Sequence, residues 1–159
     1  MDRLLQLLEQ NALLDPEQLA RRLGLKPAQV RRRIEAYEKK GVIAGYKAIL
    51  NDRRRPAERV KAIIEVRVTP EREGGFDRTA ERISRFDEVT SCFLVSGGYD
   101  LLIHVECRTL QEIASFVASK LATIERVQST ATHFMLKAYK EQGVLMTDAV
   151  REERMPVTP

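Results

Sequence analysis

Residues Asp15 to Tyr46 read DPEQLARRLGLKPAQVRRRIEAYEKKGVIAGY, and this stretch decides the fold of the first third of the chain. Asp15 before Pro16, with Gln18 three residues on, spells an N-cap, a proline at the first helical position and a polar N3 partner. Leu19, Ala20 and Leu23 form an apolar stripe in which Ala20 lets a second helix approach closely. Gly24 ends this helix, because glycine adopts a positive φ at little cost. Leu25 plugs the corner, and Pro27 opens a second helix where a missing N–H matters least. Val30, Ile34 and Tyr37 recur at i, i+4 and i+7 and face inward. Ala28, Arg32 and Lys39 then point outward, with Gln29, Arg31 and Glu35 on the flanks. Gly41 closes the helix behind Lys39 and Lys40, cations at its negative end.

One face of this second helix packs, and the other carries arginine, glutamine and a small residue. That is the pattern of a helix-turn-helix whose second helix enters the major groove of duplex DNA. Arginine reads guanine edges, glutamine can read adenine, and alanine leaves room for close approach. The expected base contacts are Gln29, Arg31 and Arg32, with Ala28 beside them. Arg33, Lys39 and Lys40 are expected on phosphates, with Lys26 adding a cation at the start of the helix. A solvated basic helix in any small bundle is the competing reading. The order of cap, alanine, glycine, corner leucine and inward valine favours the DNA reading.

Charge distribution agrees. The net charge of the 159 residues is +4. Up to Arg59 there are 14 Lys and Arg against 8 Asp and Glu, a local excess of +6, and the remainder carries 13 against 15. The positive field therefore lies on the helix-turn-helix half. Hydrophobic content of 43% suits a globular protein of one or two small domains. No apolar run approaches the length of a membrane span, and Met1-Asp2-Arg3 does not begin a signal peptide. Cys92 and Cys107 lack metal-ligand spacing, so two buried thiols in a reduced, cytoplasmic protein are expected.

Ahead of the quoted stretch, residues 2–11 form a helix with Leu4, Leu5, Leu7 and Leu8 on a broad apolar face, the third member of a small bundle. After it, Val42 to Leu50 reads as a strand, giving a DNA-binding domain over 1–50. The charged, proline-broken residues 51–59 read as a linker. From Val60 the period becomes two: Ala62, Ile64, Val66 and Val68 alternate with polar residues in a half-buried strand. Phe76, Ala80, Ile83 and Phe86 mark a helix. Val89–Ser96 and Asp100–Cys107 read as strands joined by a tight turn at Gly97-Gly98-Tyr99. Thr109 and Glu112 start a further helix as a capping box, with Leu110, Ile113, Ala114, Val117 and Leu121 as its buried stripe. A long fourth strand is expected over Val127–Tyr139.

The order strand-helix-strand-strand-helix-strand is the split βαβ pattern, an antiparallel sheet over 60–140 with both helices on one face. The other face carries Ile63, Phe93 or Val95, and residues of the last strand, too apolar to stay wet. A sheet-to-sheet homodimer is expected. The tail 141–159 is expected to be partly disordered.

Taken together, the chain resembles the Lrp/AsnC family of transcription regulators over residues 1 to about 140. The likeness rests on Glu17-Gln18-Leu19-Ala20, Leu23-Gly24-Leu25 with Pro27, Arg33-Ile34, Gly41-Val42-Ile43 with Gly45-Tyr46, and Gly97-Gly98-Tyr99-Asp100-Leu101-Leu102. It implies an α+β chain: a three-helix, winged helix-turn-helix domain, then a ferredoxin-like βαββαβ effector (RAM) domain. It further implies dimers that assemble to octamers, no cofactor, and an amino-acid effector held near Gly97, Gly98, Tyr99 and Asp100, with Thr130 and Thr132 from a neighbouring subunit. Lys26 departs from the family, which usually places a capping serine or threonine there.

Siroheme decarboxylases look similar in both halves and would make the chain an enzyme acting through histidine and arginine. The histidines His104 and His133 lie in expected strands and read as packed or interface residues, with no nucleophile-base pair or metal spacing beside them. An effector-binding assembly module with vestigial DNA contacts is the third reading.

Overall fold

The computed structural model describes residues 2–54, 59–71 and 75–146. Contacts divide the chain into two units, one ending at Ala48 and the other beginning at Ile49.

The first unit is three helices: α1 (Arg3–Gln10), α2 (Pro16–Leu23) and α3 (Pro27–Lys39). Asp2 caps α1 through Leu4 N–H at 2.8 Å. Asp15 caps α2 in the expected reciprocal box with Gln18. Gly24 ends α2 at φ 68°, and the Leu25 N–H returns to the Ala20 carbonyl. Leu4, Leu8, Leu19, Ala20 and Val30 form the core, and Leu25, Ile34, Tyr37 and Ile43 pack against it. Gly41 follows α3 at φ 68°, and Val42 N–H closes on the Tyr37 carbonyl. The expected strand over Val42–Leu50 does not form. A strand exists only where another backbone pairs with it, and among the described residues none does. Tyr46, at 53% exposure, and Leu50, at 50%, are left on the surface.

The second unit opens with a single 3₁₀ turn, Asp52–Arg54. β1 (Val60–Val68), α4 (Asp77–Ser84), β2 (Val89–Leu94), β3 (Leu101–Cys107), α5 (Leu110–Phe116) and β4 (Val127–Phe134) follow in the expected order. The sheet runs β2-β3-β1-β4, all antiparallel. Ala62, Ile64, Val66, Ile103 and Val105 are buried under Ile83, Ile113, Phe116 and Leu121. Alternation along β1 therefore separates a covered face from an open one.

Two expectations are corrected here. Of the stripe expected along α5, Ile113 and Leu121 are buried and Val117 packs partly buried beside them, Phe116 joins them, and Leu110 and Ala114 are exposed. Residues Val117–Leu121 form a wide π turn in which Ala122 N–H reaches back to the Val117 carbonyl, so the helical period slips by one residue. β4 stops at Phe134, not Tyr139, because its partner is ending: Phe134 pairs with Ala62, and one last bond joins Met135 N–H to the Lys61 carbonyl. The start of the tail, expected to be disordered only in part, is ordered. β5 (Lys140–Glu141) and β6 (Val144–Leu145) make a hairpin, and Met146 beyond it is buried. The remainder of the tail, 147–159, lies outside the described residues.

Candidate nucleic-acid interface and ligand turn

The three consecutive arginines of α3 have three different surroundings. Arg31 forms an ion pair with Glu17 at the start of α2, both side chains about half exposed. Arg33 turns back to α1, where Asp2 accepts from both its guanidinium and the Tyr37 hydroxyl. Among the described residues Arg32 makes no ion pair or side-chain hydrogen bond, and it is exposed. Ala28, Gln29, Lys39 and Lys40 are exposed with it, and Val30 on the opposite side is fully buried.

Two of the expected contacts thus have competing partners. A phosphate reaching Arg33 must compete with Asp2, whose carboxyl is held below its ordinary range by the Tyr37 hydroxyl, the Leu4 N–H and Arg33. Gln29 is engaged too: its amide oxygen accepts the Lys26 N–H at 2.9 Å. This bond satisfies a backbone donor at the helix start, where Lys26 itself offers no acceptor. The Asp2–Arg33–Tyr37 group and the Glu17–Arg31 pair escaped the sequence reading, since partners 31 and 14 residues apart leave no local pattern.

At the second candidate site, Gly97 (φ 154°), Gly98 and Tyr99 form an open loop between β2 and β3. The connection is longer than the tight turn expected at Gly97-Gly98-Tyr99, since the strands end at Leu94 and begin at Leu101. Asp100 closes it from beneath. Its N–H donates to the Val66 carbonyl, its carbonyl accepts the Val95 N–H, and its carboxylate accepts the Val68 N–H at 2.8 Å. Thr130 pairs across from Val66 on the far side of β1, so both it and the loop lie at one end of the sheet. Thr132 pairs with Ile64, one step further in.

On the open sheet face Ile63 stands between His104 of β3 and His133 of β4. His104 meets the Phe93 ring edge-on, and His133 lies 3.3 Å from Glu65. Leu102 pairs with Phe93, which is 51% exposed. Val95 follows the last residue of β2 and is only partly exposed. Phe134 pairs with Ala62 and so shares that residue's side of the sheet, where it remains 40% exposed. Among the described residues no three metal-ligating side chains gather. No described helix is long and apolar enough to cross a membrane. Burial pushes both cysteine thiols up.

Comparison with known proteins gives the family of both halves of the chain. Residues 61–145 match the Lrp/AsnC ligand binding domain, and residues 3–44 match a winged helix-turn-helix DNA-binding domain. The chain is 40% identical over 157 residues to the Bacillus subtilis (strain 168) protein named uncharacterized HTH-type transcriptional regulator YugG, covering 98% of this chain and 95% of that one. It is 31% identical to a proline dehydrogenase transcriptional activator of Rhodobacter capsulatus, over 84% of this chain and 86% of the relative. Among solved structures, a transcriptional regulator of Neisseria meningitidis in complex with L-methionine superposes with a TM-score of 0.68 at 26% identity, covering 91% and 96% of the two chains.

Proposed function

Because the chain belongs to the Lrp/AsnC family of transcriptional regulators, we propose that it reads duplex DNA through the outer side of α3 and answers to a free amino acid. The observation that carries this is the sidedness of α3. Val30 is fully buried, while Ala28, Gln29, Arg31, Arg32 and Lys39 are presented together to solvent. Such a surface fits the major groove, where guanidinium groups read guanine and neighbouring cations hold phosphate.

The same proposal takes the chain as a homodimer joined through the open sheet face, with Ile63, Phe93 and Leu102 at its centre. Two α3 helices would then meet half-sites about 34 Å apart, one turn of the duplex. The loop Gly97–Asp100 is the proposed effector seat, with Thr130 as its neighbour on the sheet. The methionine complex of the Neisseria relative supports an amino acid as the ligand class. Binding there alters DNA affinity only through different affinities in the two assembly states. Electrophoretic mobility shift with the chain's own upstream region, across a salt series and with each L-amino acid, tests this. Salt-sensitive, site-selective binding that one amino acid changes is expected, and salt-independent or absent binding would overturn it.

A further inference from the structure

The ion pair between Glu17 and Arg31 has no evident structural purpose. Both side chains are about half exposed, and exposed pairs contribute little to stability. Its placement carries more meaning. Glu17 lies in the first turn of α2, the helix that in this motif crosses the DNA backbone. A carboxylate there is repelled by phosphates. Its contact is not a neighbour on its own helix but an arginine on the exposed flank of α3.

Resting on the DNA-reading role proposed above, we infer that Glu17 is a positioning residue that presets Arg31 for one base pair. A free arginine samples many rotamers and loses that freedom when it docks. Arg31, held at one edge of its guanidinium by Glu17, meets the groove with its planar fork already directed. The remaining N–H groups can address the acceptors of a guanine. Desolvation in the complex strengthens the ion pair at the moment of reading. Arg32, which has no such partner among the described residues, adapts to phosphate or base as the site allows. One arginine is thus set by the protein and the next by the DNA.

The test measures base preference rather than affinity alone. A site is selected from a random duplex pool, each base pair is varied singly, and affinities are measured for wild type, Glu17→Ala, Glu17→Gln, Arg31→Ala and the Glu17→Ala/Arg31→Ala double variant. Arg31→Ala is expected to abolish a preference of about 5- to 150-fold at one position. Glu17→Ala is expected to cut that same preference by roughly 3- to 10-fold, while affinity for random DNA stays level or rises. Glu17→Gln, which keeps an acceptor, falls between. In the Arg31→Ala background Glu17→Ala changes nothing at that position. Thermal melts establish that each variant is folded. A base profile unmoved by Glu17→Ala, or moved at a different position from that of Arg31→Ala, overturns the inference and leaves the DNA-reading role standing. Absence of salt-sensitive DNA binding by the wild type removes both.

Discussion

Asp2 and Arg33 are joined by an ion pair that bridges the start of α1 and the middle of α3. The same carboxylate caps α1 and accepts the Tyr37 hydroxyl, so one side chain fixes how two helices meet. Asp2→Ala removes the cap and two cross-links together. It is expected to destabilise the helical unit by about 1–2 kcal/mol in chemical unfolding. Folding lowers the Asp2 pKa from 3.8, so its contribution is present above that value and fades as pH falls through the lower, folded one. The stability gap between wild type and Asp2→Asn should therefore hold steady at neutral pH and close in acid below 3.8.

Arg32 and Arg33 should separate cleanly by mutation. Arg32→Ala is expected to cost about 1–3 kcal/mol in DNA affinity, concentrated at one base position. Arg33→Ala should lower the melting temperature and leave base preference largely intact. Equal loss on every sequence after Arg32→Ala would assign that side chain to the phosphates.

Lys61 is pinned between Asp52, at 2.6 Å, and Glu141, at 3.3 Å, tying the residues before β1 to the hairpin after β4. Burial opposes its charge, but the two carboxylates outweigh this and raise its pKa above 10.5. The stabilisation is thus present below that value and lost as pH climbs through the higher one. Lys61→Met should loosen the β5–β6 hairpin, read as faster amide exchange at Met146, and its stability deficit should shrink in strong alkali.

The open sheet face offers a direct measure of assembly. Ile63→Asp places a charge midway between His104 and His133 without touching the buried side of β1. Sedimentation should show dissociation to single chains with the circular dichroism spectrum retained. An unchanged mass would remove that face from the dimer.

Gly24 adopts φ 68° between α2 and α3, and an added Cβ there meets nothing within 4 Å. Gly24→Ala should therefore cost only the backbone strain, about 1 kcal/mol, in the melting of the helical unit.

These residues also show what a sequence can and cannot disclose. Caps, breakers and periodicity are local, so Asp15 with Gln18, Gly24, and the alternation of β1 are legible in the sequence. Strand length is not. Whether Val42–Leu50 pairs, and where β4 ends, depends on the backbone alongside, and β4 runs out where β1 does. In α5 the spacing finds Ile113, Val117 and Leu121, but not Phe116 or the change of period at Val117–Leu121, and it wrongly adds Leu110 and Ala114. At the surface proposed to face DNA the residue types are evident in the sequence. Their division of labour is hidden, because Asp2 and Glu17 arrive from distant parts of the chain.

Gln29 changes the code that α3 presents. With its amide oxygen turned to the Lys26 N–H, the side chain has mainly its NH₂ group left to offer. Adenine asks for a donor and an acceptor together, whereas guanine and thymine edges are satisfied by donors. In the proposed DNA-reading role, a Gln29 that keeps the cap would address acceptors. Two-point recognition of adenine there would call on that oxygen's second lone pair or on release of the cap.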